Sequence, residues 1–287
     1  WVQLINVDDV QLSNKNSVER VYNYPERGYI FDRNNRLLVE NEPYYDLMIV
    51  PKELKEIDTI EFCKILKIDK KTLINKIIKA KKFSYVKTSV FLAQISKADY
   101  AIIQEKLWKY KGFNIQRKSN RNYLLNSASN ILGYISEVND YEITDNSYYE
   151  SGELIGRQGI EKAYEKELRG LKGVSYYQKD KFNRITGSYK EGIYDTVYKP
   201  ANDINLTIDF NLQTYGDSLM INKFGSIIAI EPNSGEILAL VNAPTFDPNL
   251  LIGRDRSKNY MNLKNDTIGK PLFDRGLQGQ YPPGSTF

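Results

Sequence analysis

Residues 225–241 constrain the fold more than any other stretch of this chain. Gly225-Ser-Ile-Ile-Ala-Ile-Glu231 and Glu236-Ile-Leu-Ala-Leu-Val241 are two nearly unbroken apolar runs, separated by Pro232-Asn-Ser-Gly235. Branched apolar runs joined by turn residues predict a β-hairpin with two adjacent antiparallel strands. Neither run alternates, so both faces of the sheet they enter should be covered. That requires partners, and a chain of 287 residues with 41% hydrophobic residues can supply about two domains at ~150 residues each.

Composition removes several chemistries. The sequence has no histidine. This excludes, within these residues, Ser-His-Asp and Cys-His machinery, His-based metal sites and a histidine pH switch. The one cysteine, Cys63, cannot form an internal disulfide and is read as a small core residue. Forty basic residues stand against 36 acidic ones, a net charge of +4 that does not argue for nucleic acid. The 22 tyrosines are scattered, as packing residues would be, and do not mark a base-stacking groove. No run approaches the ~18–20 apolar residues of a membrane span.

Residues Trp1–Asn23 are polar and irregular and suggest a linker or extended arm. Gly28–Phe31 and Arg36–Glu40 flank the turn residues Asp32-Arg-Asn-Asn35 and predict a hairpin. A further strand is expected at Tyr44–Val50, ending at Pro51. Leu73, Ile74, Ile77 and Ile78 share one helical face, with Asp69 as N-cap. Ser96 and Asp99 form a capping box ahead of Tyr100, Ile103 and Leu107. Residues 52–82 hold ten lysines against five acids. That excess reads as a solvated helical face, or as attraction to an anionic membrane surface or wall polymer. A single amphipathic helix is predicted over Gly156–Gly170, burying Ile160, Ala163, Tyr164 and Leu168. Asn205–Ile208 reads as a short strand, and Asp209 as the cap of a helix carrying Leu212, Tyr215 and Leu219. Asp247 before Pro248 initiates a turn. Arg27, Asp32 and Arg33 are expected to build a salt-bridged turn, and Glu161 is read as structural. The fold class expected is α+β.

Chemistry is expected at the end of the chain. Tyr281-Pro-Pro-Gly-Ser-Thr-Phe287 delivers Ser285 at or near a helix start, where free N–H groups favour developing negative charge. Without histidine its base must be lysine or a carboxylate, and a lysine three residues on would share its helical face. That is position 288.

Six stretches, in order, carry a family resemblance. Arg27-Gly-Tyr-Ile-Phe-Asp-Arg-Asn34 with Leu37-Leu-Val-Glu-Asn41, and Gly156-Arg-Gln-Gly-Ile-Glu-Lys-Ala-Tyr-Glu165 with Leu168-Arg-Gly-Leu-Lys-Gly173, resemble the membrane-proximal region of class B penicillin-binding proteins. Leu206-Thr-Ile-Asp-Phe-Asn-Leu-Gln213, Ala229–Ala239 with Pro244-Thr-Phe-Asp-Pro-Asn249, Pro271-Leu-Phe-Asp-Arg275 and Tyr281–Phe287 resemble the start of the family's transpeptidase domain, up to its S-x-x-K box. The intervening stretches are most similar to the elongation-type branch, penicillin-binding protein 2.

The resemblance implies an elongated mixed pedestal, of the dimerisation type, over residues 28–200, after a juxtamembrane arm at 1–27. The start of an α/β transpeptidase domain with an incomplete antiparallel sheet then follows over 201–287. It implies a peptidoglycan D,D-transpeptidase of cell elongation and shape maintenance, with Ser285 as the acylated nucleophile. The lysine of S-x-x-K, the S-x-N and the K-[ST]-G motifs are expected beyond Phe287, so residues 1–287 alone should be inert. Expected partners are the D-Ala-D-Ala stem peptide, β-lactams, a SEDS-family glycan polymerase and the bacterial inner membrane. The membrane would be reached through a helix upstream of Trp1, leaving the domains facing the periplasm. No cofactor, metal or nucleic acid is implied. Two alternatives stay open: a non-catalytic docking or allosteric module for the polymerase, and the division-specific class B paralogue. Residues 1–287 should also leave part of Ile227, Ile228, Ile230, Ile237, Leu238 and Leu240 uncovered.

Overall fold

The computed structural model describes residues 18–55, 57–86, 88–95, 97–126, 128–150, 152–180, 185–253, 255–282 and 284. The architecture is mixed α+β, as expected. β1 (Val18–Asn23) shows that the N-terminal arm is already an element of the fold by Val18. β2 (Ile30–Phe31) turns through Asp32–Arg36 into β3 (Leu37–Ile49), which is the predicted hairpin. The separate strand expected at Tyr44 does not exist as such. The chain stays extended through Pro43, and β3 is one strand of 13 residues ending just before Pro51.

β3 then receives the chain back twice. After α1 (Thr59–Leu66) and α2 (Lys70–Phe83), β4 (Ser89–Ile95) pairs with the C-terminal part of β3. After α3 (Lys97–Lys106), β5 (Phe113–Tyr123) lies along its other edge from Val39 to Ile49. One hydrophobic core sits at each end of this ribbon. At the far end Leu47, Ile49 and Phe113 meet Phe62, Leu73, Phe91 and Ile103, and the Phe62 ring lies 4.3 Å from Tyr110 and 4.8 Å from Phe113. Asp69 caps α2 as predicted, accepting from Thr72 N–H at 2.9 Å. The buried stripe of α2 is Leu73 and Ala80, with Ile77 partly covered, while Ile74 and Ile78 point to solvent. Ser96 of the expected capping box lies outside the described residues.

The near end of the ribbon carries the second core, in which Ile30, Leu38, Val39 and Tyr123 pack on Leu132 and Leu168. α4 (Ser129–Leu132) contributes Ile131 and Leu132 to it, and β6 (Ile135–Glu137), α5 (Asp140–Asp145) and β7 (Leu154–Gly156) follow, with β6 and β7 paired antiparallel. The single helix expected over 156–170 is in fact two short ones, α6 (Gly159–Ala163) and α7 (Glu165–Arg169), broken at Tyr164. Its predicted stripe is corrected too: Ala163 and Tyr164 are exposed, and Glu161 is the buried residue beside Leu168. Gly156 and Gly159 permit this arrangement. A Cβ on Gly156 would sit 2.0 Å from Glu161 O, and Gly159 has φ +58 with Ile131 O 2.2 Å from where its Cβ would be. β8 (Gly173–Lys179) joins β1 and β9 (Ile185–Ser188) in a three-stranded antiparallel sheet.

Glu161 is fully buried and ion-paired on both sides, to Arg27 at 2.7 Å and to Arg121 at 2.8 Å. Arg27 also reaches Glu165 at 2.5 Å. Asn41 closes the set, accepting from Arg121 Nη1 at 2.9 Å and donating to Arg27 O at 2.5 Å. Burial alone pulls the Arg27 guanidinium down, and the Glu161 and Glu165 carboxylates outweigh it, leaving it above its ordinary value. For Arg121 burial wins, and its proton affinity falls. Glu165 accepts from Gly156 N–H and from the Tyr149 hydroxyl, whose pKa burial and this carboxylate push up to about 12. Removing one partner of such a cluster strands an uncompensated charge, which costs about 3–5 kcal/mol. Glu161→Ala should therefore lower the unfolding free energy by roughly that amount. A denaturant titration showing less than about 1 kcal/mol would mean that the buried pairs are not needed.

Candidate active site

Ser285, the predicted nucleophile, lies outside the described residues. The structure does describe the segment leading up to it and how that segment is held. β10 (Ile204–Asn205) adds parallel to β2; the strand expected over Asn205–Ile208 is thus only two residues long and ends at Asn205. α8 (Phe210–Leu219) follows, with Asp209 capping it by accepting from Asn211 N–H at 2.9 Å and Leu212 N–H at 3.0 Å. The Leu212 N–H bond, opposed by partial burial and aided by the Asn34 amide, holds the Asp209 carboxyl below the usual carboxylate range.

The hairpin β11 (Gly225–Ile230) and β12 (Ile237–Ala243) forms as predicted, with Ala229 opposite Ala239 and Ile227 opposite Val241. β12 is buried on both faces from Ala239 to Ala243, whereas Ile228, Ile230 and Ile237 are exposed, so part of the hairpin's apolar surface stays uncovered, as expected. The stripe on α8 is reversed from the simple expectation. Leu212, Tyr215 and Leu219 are exposed, and Gln213 and Gly216 face β12. Gln213 acts as a strand partner for Leu240, accepting from its N–H at 2.9 Å and donating to its carbonyl at 3.2 Å. Gly216 permits this approach, because a Cβ there would lie 2.6 Å from Val241 Cγ2.

Two more amides, Asn242 buried and Asn249 half-buried, repeat the device. Asn249 Nδ2 donates to Tyr123 O at 2.8 Å and its Oδ1 accepts from Tyr123 N–H at 3.0 Å. Asp247 starts this turn as predicted, accepting from Asn249 N–H at 2.8 Å. After α9 (Arg256–Asn265), Asn242 donates to Phe273 O at 2.9 Å and accepts from Arg275 N–H at 3.0 Å, setting the start of α10 (Arg275–Gln278). The Arg275 guanidinium donates to Gly269 O at 2.6 Å and Lys270 O at 3.3 Å. These amides escaped the sequence reading. The available signal was a lone amide inside an apolar strand pattern, as in Ala239-Leu-Val-Asn-Ala243.

The remaining predicted residues have structural places. Asp32 is buried and accepts from Asn34, Arg36 and Phe210 N–H groups, so the β2–β3 turn is tied to the start of α8. Arg33 reaches Glu236 at 3.4 Å, at the hairpin turn. Arg27 and Glu161 form the buried cluster already described. Cys63 is half-buried against the far core. Among the described residues no group of three His, Cys, Asp or Glu is placed to hold a metal ion, and no helix is long and apolar enough to cross a membrane. Chemically, this region is a scaffold up to α10, in which Gln213, Asn242, Asn249 and Arg275 hold strands and turns together.

Residues 22–206 match the family model of the penicillin-binding protein dimerisation domain, and residues 225–287 that of the penicillin-binding protein transpeptidase domain. The chain is 32% identical to the peptidoglycan D,D-transpeptidase MrdA of Acinetobacter baumannii over 295 residues, covering 100% of this chain and 43% of that protein. It is 30% identical to MrdA of Escherichia coli K12, over 99% of this chain and 46% of that one, and 29% identical to penicillin-binding protein 3 of Bacillus subtilis, over 96% and 40%. The chain thus spans less than half the length of these curated relatives. Among solved structures it is similar to penicillin-binding protein 2 in a complex with MreC from Helicobacter pylori, with a TM-score of 0.78 and 26% identity, over 93% of this chain and 50% of that one.

Two outcomes test this scaffold. Asn242→Ala leaves the Arg275 N–H without its acceptor, at about 1–3 kcal/mol. Hydrogen exchange should accelerate at Arg275–Gln278 and stay unchanged at Val18–Asn23; uniform acceleration would assign the loss to global stability instead. Because the Asp209 pKa is lowered on folding, its contribution is present above the ordinary Asp range and is lost as pH falls through the folded value. Asp209→Asn keeps an acceptor at the cap and should flatten that acid dependence, read as melting temperature against pH.

Proposed function

Since the chain belongs to the penicillin-binding proteins, with their dimerisation and transpeptidase domains, we propose that it is part of a peptidoglycan D,D-transpeptidase of the elongation type, with Ser285 as nucleophile. The observation that carries this reading is the match of residues 225–287 to the transpeptidase domain; Ser285 lies within that stretch, in the Tyr281–Phe287 run whose sequence resembles the S-x-x-K box. The serine attacks the carbonyl of the penultimate D-alanine, the terminal D-alanine leaves with a proton, and an amino group of a neighbouring stem peptide takes the acyl group from the serine. The base this chemistry requires is the family's lysine, at position 288. β-Lactams acylate the same hydroxyl.

The division at about residue 200, between a pedestal and the start of the catalytic domain, belongs to this proposal. So do attachment to the inner membrane through a helix preceding Trp1, a periplasmic location, and work alongside a SEDS-family glycan polymerase. The H. pylori neighbour is a complex with MreC, and an MreC-type protein is therefore a proposed partner here too.

Fluorescent penicillin should label the complete protein, and Ser285→Ala should abolish labelling while circular dichroism is unchanged. Persistent labelling of a folded Ser285→Ala protein would refute the assignment.

A further inference from the structure

One tip of the far lobe carries features that the transpeptidase reading does not use. Lys52 N–H donates to Tyr85 O at 2.9 Å and Val50 N–H to Gly112 O at 2.8 Å. The turn at Pro51–Glu53, the exit of α2 and the entry to β5 therefore converge at one place. Three apolar side chains stand out from it: Phe83 is 71% exposed, Tyr85 59% and Val86 41%. Lys52, Lys55 and Lys111 line the shallow groove beside them, with Glu53 as the carboxylate among the groove's lining residues. Lys81 and Lys82 occupy the last turn of α2, exposed. The ion pairs of this lobe among the described residues engage other lysines: Lys67, Lys106, Lys109 and Lys118.

We propose that this tip rests on an anionic lipid bilayer. Phe83, Tyr85 and Val86 enter the boundary between headgroups and acyl chains, and the five surrounding lysines meet headgroup phosphates. The combination selects this partner. A dissolved polyanion would pair with the lysines and leave the aromatic and aliphatic side chains in water. A purely apolar protein surface would cover those side chains and strip the lysines of solvent without a counter-charge. An anionic bilayer offers charge at the surface and an apolar layer just beneath it, and long lysine stems reach the first while the tip enters the second. No residue of the candidate active site takes part, so the proposal stands or falls independently of acylation at Ser285.

The test is sedimentation of the 287-residue chain with vesicles of phosphatidylcholine containing about one-third phosphatidylglycerol, against pure phosphatidylcholine vesicles. Binding should be confined to the anionic vesicles and should weaken as salt is raised. Lys52→Glu with Lys55→Glu should lower partitioning by on the order of tenfold or more. Phe83→Ser with Tyr85→Ser should lower it without any change in net charge. Lys70→Glu with Lys71→Glu, the same charge change at the opposite end of α2, should leave it intact. Circular dichroism melts establish that each variant is folded. Absence of binding to anionic vesicles overturns the proposal, as does equal binding to both vesicle types. Equal loss in the control pair also overturns it, by showing an effect of net charge alone. Capture of the tip by a protein partner without any vesicle affinity would do the same.

Discussion

A carboxylate removed from water between two guanidinium groups organises the near half of this molecule. Glu161 is tolerated in the interior because Arg27, in the loop before β2, and Arg121, on β5, both pair with it and Asn41 joins both arginines. The net gain of such a cluster over a well-packed apolar one is small, but any arrangement that omits one member is heavily penalised. The cluster thus acts on specificity. It admits only the register of β3 and β5 that puts Arg121 beside Asn41, and only the break between α6 and α7 that turns Glu161 inward.

From that cluster, contacts pass along the chain's motifs until they reach the segment before Ser285. The turn after Arg27 carries Asp32, which holds the start of α8. Gln213 on α8 holds Leu240 in β12, and two residues later Asn242 holds the start of α10. Asn249 returns the path to the end of β5 at Tyr123, next to Arg121. Stretches separated by more than a hundred residues in sequence are neighbours in space, which gives a physical reason for their appearing together. Most are joined by a side-chain amide or carboxylate serving a backbone group, a contact with strict geometry that a conservative substitution does not reproduce.

The local elements were legible because local chemistry decides them. Asp69, Asp209 and Asp247 announce caps within three residues of themselves, and Pro232–Gly235 announces the hairpin turn. What periodicity could not supply was the neighbour. Ile74, Leu212 and Tyr164 each belong to an apolar pattern, yet each faces outward. α2 is covered from the side of Leu73, α8 meets a strand through Gln213 and Gly216, and the 156–170 segment breaks to bury a carboxylate. The candidate nucleophile was legible only through family resemblance. A serine after Pro-Pro-Gly has no chemical signature until its base and its walls are known.

The β3–β5 ribbon has a thermodynamic consequence. Its eleven paired positions span about 35 Å at ~3.4 Å per residue, and its two ends are the floors of two separate hydrophobic cores. Neither core can be dismantled without fraying the ladder that supports the other. The lobes, although they share few side chains, should melt as a single cooperative unit, so heat capacity traces should resolve one transition for both.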